Sequence, residues 1–210
     1  MQRIRLISDF NLGVLARYLE KNGDLKDFQI EVAPYGQVYQ QLIAPVSEDE
    51  SQQCAIIWAR PEALLESFRK AVDYDAVDHA VVMDELERYI ESLSGFCKRQ
   101  LTVLHVSFSL PPGYRGYGML DYADGLGTRN LLAHMNLRLA EAMGSQDNFF
   151  MLDGERWQLT VGQQATIPKL WYASKTPFSN LLFEHASADI VTAIRGLAGH
   201  ARKLVITDLD

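Results

Sequence analysis

Cys54-Ala55-Ile56-Ile57-Trp58 decides the fold. Successive side chains of an extended chain point to opposite faces, so a strand with no polar residue must be covered on both. This is how a central strand of a parallel sheet reads, and the flanks agree. Upstream, Ile4 to Ser8 is a short apolar run that predicts a strand, and Phe28-Gln29-Ile30-Glu31-Val32 alternates as a half-buried strand does. Between them Asn11 offers a cap to a helix whose Leu12, Leu15, Ala16 and Leu19 share one face, and Gly23 ends it. Downstream, Pro61 opens a helix carrying Leu64, Leu65 and Phe68.

The alternation continues to the end. A short helix is expected from Val38 to Ile43, and a long one with Val82, Leu86, Tyr89, Ile90 and Leu93 on one face, ending near Gly95. Leu101 to Phe108 predicts a strand and 109–128, rich in Gly and Pro, a long loop. Asn130 to Met143 is amphipathic, Phe149 to Leu152 is strand-like, and Leu181, Ala188, Val191, Ile194 and Ala198 line a last helix. Strands alternating with helices predict an α/β fold: a three-layer α/β/α sandwich around a doubly wound, five-stranded parallel sheet in the order 2-1-3-4-5. This is the flavodoxin-like type that SGNH hydrolases also use. No repeat or linker interrupts the pattern, so residues 1–200 are expected to form one domain, with a boundary between Gly196 and Lys203.

A 48% hydrophobic, 22% charged composition is globular, and a net charge of −7 argues against nucleic acid or an anionic membrane as partner. No segment is long and apolar enough to span a bilayer, and Met1-Gln2-Arg3-Ile4-Arg5 leads into a strand, not a signal peptide, so a cytoplasmic location is expected. Cys54 and Cys97 read as buried, reduced thiols that pack.

Ligands of such sheets sit beyond the carboxyl ends of the strands. The candidates are therefore Ser8, Asp9 and Asn11 after the first strand, and Tyr35, Gly36 and Tyr39 after the second. Arg60 and Glu62 follow the third, Ser107 and Ser109 the fourth, and Asp153 the fifth. Trp171 and Lys175 would enter from the connection after the fifth strand, and Arg60 would supply a bidentate fork to phosphate or carboxylate. An active hydrolase would need a serine, a base and an orienting carboxylate. Here Phe10, in Ser8-Asp9-Phe10, stands in the register where SGNH enzymes carry the nucleophile of Gly-Asp-Ser. No Asp-x-x-His pair lies near the last helix, and His185 reads as a packed or surface histidine. These residues favour a scaffold without the triad; an esterase or acyltransferase with a rearranged site is the alternative.

His79, His105, His134, His185 and His200 show no metal spacing, and His105 reads as a core histidine. Asp73, Asp75 and Asp78 read as a solvated face or helix start. Gly113-Tyr114-Arg115-Gly116-Tyr117-Gly118 is either a ligand-presenting loop or a flexible connection.

The chain closes on Lys203-Leu204-Val205-Ile206-Thr207-Asp208-Leu209-Asp210. Read alone, this run is either a terminal strand with an acidic tail or the first motif of a haloacid dehalogenase (HAD) phosphatase. There, a strand delivers an aspartate nucleophile and a second aspartate two residues on as acid/base.

Longer blocks carry a resemblance. Phe10-Asn11-Leu12 with Leu15-Ala16-Arg17-Tyr18-Leu19 is similar to the first block of FkbH-like proteins. So are the block Ala33-Pro34-Tyr35-Gly36-Gln37-Val38-Tyr39-Gln40-Gln41, the segment Trp58-Ala59-Arg60-Pro61-Glu62 and the run Phe108-Ser109-Leu110-Pro111. Pro168-Lys169-Leu170-Trp171-Tyr172, Lys175-Thr176-Pro177-Phe178-Ser179 and the run from Ala201 to Asp210 also match, so the resemblance spans nearly the whole chain. It implies an SGNH-hydrolase-like N-terminal domain over 1–200 and, over 201–210, the first strand of an HAD phosphatase-like domain of subfamily IIIC.

By resemblance, the parent protein would dephosphorylate a phosphorylated glycerate-type acid and load the acyl unit onto the phosphopantetheine of an acyl carrier protein, in polyketide or related secondary metabolism. Asp208 would be its nucleophile, Asp210 its acid/base, and both would bear on Mg²⁺. The remaining HAD motifs are absent from this sequence, so this chain is expected to lack phosphatase activity alone, to need no cofactor itself and to leave Leu204 to Asp210 frayed or held by a borrowed edge.

Overall fold

A computed structural model describes residues 2–45 and 54–199. Five parallel strands form one sheet: β1 (Gln2–Ser8), β2 (Phe28–Val32), β3 (Cys54–Trp58), β4 (Thr102–Val106) and β5 (Phe149–Leu152), in the order β2-β1-β3-β4-β5. Ile4 faces Cys54 and Ile30, and Ile56 faces Leu104, so the all-apolar β3 lies at the centre. Every residue of β3 is buried, as its composition requires.

The pleat divides the core in two. Ile7, Ala55, Ile57 and Val103 point to a face covered by α2 (Val38–Ile43), α4 (Glu66–Val72), α5 (His79–Cys97) and α6 (Thr128–Met143). Ile4, Leu6, Ile56, Trp58, Leu104 and Val106 point to the other, covered by α1 (Gly13–Lys21), α7 (Gly154–Val161) and α9 (Asn180–Leu197). Two short helices complete the strand-end edge, α3 (Pro61–Leu64) and α8 (Pro168–Ser174), both with proline in the first turn, where a missing N–H costs nothing. The fold is the expected three-layer α/β/α sandwich. Cys54 and Cys97 are free, buried thiols whose pKa burial raises to about 12.

Some boundaries differ from the sequence reading. β1 begins at Gln2, β4 is limited to Thr102–Val106, α5 runs to Cys97 and α6 starts at Thr128. The apolar face of α9 is also shifted. Leu182, Phe183, Ala186, Ile190, Val191 and Ile194 are buried, while Leu181 and Ala188 are exposed. The helix starts at its cap, where Ser179 Oγ accepts from the Leu182 N–H at 3.2 Å, and the stripe that begins at Leu182 and Phe183 takes the core. Asn11 is not the N-cap expected of it: α1 starts at Gly13 with Leu12 at the cap, and Asn11, one residue before, closes a turn by accepting the Gly13 N–H on its Oδ1 at 2.8 Å. Among the described residues no helix is long and apolar enough to cross a membrane.

Candidate functional site

The parallel strands deliver their following loops to one edge of the sheet, and three of those loops meet. The Gly36 N–H donates to Ser8 O at 3.1 Å, tying the β2 loop to the end of β1. Gly36 has φ of 78°, a left-handed conformation that glycine adopts without a Cβ penalty. The Arg60 backbone N–H donates to Asp9 Oδ1 and its Nε to Asp9 Oδ2, both at 2.8 Å, joining the β3 loop to the β1 loop. A cleft of about 270 Å³ lies between them, lined by Asp9, Gly36, Val38, Tyr39, Gln40 and Arg60 and closed by Ala63 and Leu64 of α3.

The other face of Arg60 is taken by α8. The guanidinium carbon stands 4.2 Å from the ring centroid of Trp171, and Lys175 Nζ stands 5.3 Å from the same ring. The end of α8 is fastened to the β1 loop: Asn11 donates its backbone N–H to Lys175 O at 3.0 Å and its side-chain amide to Ser174 O at 3.2 Å. Lys175 holds φ of 54° to make this exit, an uncommon conformation for a residue with a side chain. Asn11 thus clasps the end of α8 that carries Trp171 while it closes the turn into α1.

Charge in this corner is concentrated and poorly hydrated. The side chains of Asp9 and Glu62 are only 6% and 13% exposed, and Glu62 Oε1 lies 3.5 Å from Arg60 Nη1. Burial raises the pKa of both carboxyls, and Arg60 opposes the rise; for Glu62 the result is about 7. Glu62 Oε2 is buried and has no hydrogen-bond partner among the described residues. Tyr39 is half buried, which raises its phenol and keeps it a neutral donor.

The structure therefore brings together Asp9, Gly36, Tyr39 and Arg60, with Trp171, Lys175 and Asn11 behind them. Tyr35 is exposed and does not line the cleft. Ser109 lines a different, larger cleft of about 520 Å³ between its own loop and α7, where its Oγ accepts from Gln158. Ser107 accepts the Gly154 N–H and Asp153 caps α7, so both are spent on local structure. The tyrosines of the 113–118 loop pack on Tyr74, and Asp78 caps α5. Asp208 and Asp210, with the whole of 201–210, lie outside the described residues.

No serine machinery forms at this edge. Ser8 is buried and its Oγ accepts from the Phe10 N–H at 3.0 Å. Phe10, in the nucleophile's register, is wholly buried, edge-on to Trp58 and Phe178 at 5.6 and 5.5 Å. Among the described residues no serine hydroxyl is hydrogen-bonded to a histidine. His185 is exposed on α9, and His105 is buried in β4 with Nε2 2.8 Å from the Tyr89 hydroxyl. Nor do three or more His, Cys, Asp or Glu side chains among the described residues gather as a metal site.

No protein-family model and no curated protein matches the chain in sequence. In structure it is similar to the N-terminal part of the protein BF1531 from Bacteroides fragilis, which contains a phosphatase domain and was crystallised with Mg. The TM-score is 0.76 at 17% identity, over 94% of this chain and 52% of that one. It is also similar to the acetyl xylan esterase AlAXEase, with a TM-score of 0.50 at 12% identity, over 91% of this chain and 99% of that one. The chain thus spans about half the length of the phosphatase-containing structure, and what it shares with both is the SGNH-like α/β fold.

Proposed function

We propose that this chain is the N-terminal binding domain of an FkbH-like protein, holding a small acid or a carrier-protein-bound acyl group for an HAD-type phosphatase and transfer centre carried elsewhere in the parent. The observation that carries this reading is the Asp9–Arg60–Trp171 assembly. An arginine buried by a carboxylate on one side and an indole on the other, at the rim of a strand-end cleft, is built to orient a ligand. Phe10 in the nucleophile's register and the engaged hydroxyl of Ser8 support binding over ester hydrolysis. The similarity in fold to a structure that contains a phosphatase domain, together with the Asp208-Leu209-Asp210 run, supports the placement beside an HAD domain with Asp208 as nucleophile, Asp210 as acid/base and Mg²⁺ as its metal.

The parent protein tests it. Acyl loading onto phosphopantetheinylated carrier protein is measured with the intact parent and with its Arg60→Lys and Ser8→Ala variants. Arg60→Lys is expected to raise KM for the acyl donor or the carrier protein, and Ser8→Ala to leave turnover unchanged. Loss of turnover in Ser8→Ala at unchanged KM would instead make this domain a serine acyltransferase.

A further inference from the structure

We propose that residues 167–175, which carry α8, form a latched flap over Arg60: the segment opens about a base fixed in the core, Asn11 is its latch, and opening uncovers the guanidinium face that Trp171 holds. The opening itself is a property of the fold; that it admits a ligand rests on the reading of the strand-end edge as a binding site.

The base is closed without help from α8. Thr166 and Phe178 pair as an antiparallel bridge, and the Ser179 N–H donates to Ala165 O at 2.9 Å. Ala165, Thr176, Phe178 and Ser179 are all buried. The Phe178 ring stacks on Trp58 with centroids 5.0 Å apart and meets Phe10 edge-on. Both ends of the segment are therefore held by the core.

The tip is held differently. No residue from Ile167 to Lys175 is buried, and only Leu170 and Trp171 are half-buried, Trp171 resting on the core beneath it. A helix of seven residues does not persist in water by its own hydrogen bonds, so α8 depends on its ties. Among the described residues, the hydrogen bonds that join it to elements outside 165–179 both come from Asn11, to Ser174 O and Lys175 O. The other tie is the stack of Trp171 on Arg60. Lys175, where the chain leaves the helix, is held at φ of 54°, which a residue with a Cβ adopts at a cost that opening relieves. An element with few buried contacts opens well below the free energy of global unfolding.

What lies beneath is preset. Arg60 takes its position from Asp9 on the β1 loop, through two bonds of 2.8 Å, and not from α8. It keeps its place when Trp171 lifts, and its side chain, 20% exposed with the flap shut, becomes accessible. Closure over a bound group would then exclude water from the same corner.

Native-state amide hydrogen exchange of the chain, followed residue by residue by NMR at pH 7, tests the flap. The amides of Leu170, Lys175 and Asn11 are expected to share one opening, with protection about 100-fold or more below that of Ser179 at the base. Asn11→Asp loses the donor to Ser174 O and keeps an oxygen for the Gly13 N–H. It should lower protection at Leu170 and Lys175 about tenfold and leave Ser179 unchanged. Modification of Arg60 by phenylglyoxal, mapped by mass spectrometry, should quicken in Asn11→Asp and in Trp171→Ala, which removes the cover and spares the latch. Equal protection of Lys175 and Ser179, or exchange of both through global unfolding alone, would overturn the flap. Arg60 modified at an unchanged rate in both variants would overturn its role as a cover. A ligand titration that leaves Arg60 silent while the exchange pattern holds would remove the binding-site reading and leave the flap standing.

Discussion

Arg60 gives Asp9 its backbone N–H and its Nε–H, at 2.8 Å each, so one residue satisfies both oxygens of a nearly buried carboxylate. Two consecutive features make this possible. β3 ends opposite β1 with Trp58 beside Ser8, and the next residues of each loop then meet at the same height. The pair fixes the strand-end edge before any ligand arrives.

Breaking it should cost stability. Arg60→Ala leaves Asp9 buried with one oxygen unpaired, and truncating a buried pair is strongly destabilising. Because the arginine side chain is 20% exposed, the expected loss is about 2–3 kcal/mol, at or below the low end of that class. Arg60→Lys keeps the backbone bond and should lose about 1 kcal/mol. Urea denaturation measures both, and an Arg60→Ala loss under about 0.5 kcal/mol would show the pair to be energetically idle.

Glu62 should make stability depend on pH. Its folded pKa, about 7, lies above the ordinary 4.5, so the folded state favours the proton. The stability it contributes is complete below about pH 4.5 and lost as pH rises through about 7. Glu62→Gln stays neutral throughout. The difference between variant and wild type should therefore widen by roughly 3 kcal/mol from pH 4.5 to pH 8, in favour of the variant. Unfolding free energies of both proteins across that range decide it, and a flat difference would contradict it.

His105 should act in the opposite sense. Burial lowers its pKa to about 4, so the stability tied to its neutral ring is full above pH 6.5 and lost as pH falls through 4. Its ring is expected to stay neutral at pH 5.5, as read from imidazole carbon shifts. Tyr89→Phe removes the hydrogen bond to Nε2 of that ring and should cost about 1–3 kcal/mol of stability.

Ser8→Ala should leave hydrolysis unaltered. The hydroxyl accepts the Phe10 N–H and has no histidine partner, so its removal costs about 1 kcal/mol of stability. Turnover of p-nitrophenyl acetate by the chain should be equal with and without Ser8. A Ser8-dependent burst would mean that the site rearranges into a hydrolase.

The sheet was legible because its signals are local and redundant. An all-apolar β3, a half-buried β2 and proline at helix starts each point to the same topology. The convergence of Asp9, Gly36 and Arg60 followed from parallel strands placing their loops on one edge. Other features depend on distances that no periodicity encodes. The Trp171–Arg60 stack comes from the clasp of Asn11 on α8, and the raised Glu62 comes from burial between α3 and its neighbours. Ser109 shares that edge in sequence logic yet falls in the groove beside α7, because Gln158 draws it there. The face of α9 differs from the sequence reading because Leu181 and Leu182 are adjacent and only burial decides between them: Leu182 and Phe183 take the core and Leu181 is exposed.

Ligand binding in the cleft around Asp9, Gly36, Tyr39 and Arg60 is tested most directly by a ¹H–¹⁵N correlation spectrum. On titration with lactate, saturating shifts are expected at the amides of Asp9, Gly36 and Arg60, at Arg60 Nε–H and at the Trp171 indole, with Ser109, Gly113 and Gln158 unmoved. Shifts confined to Ser109, Gly113 and Gln158, with Arg60 and Trp171 silent, would contradict it and move the binding site to the groove beside α7.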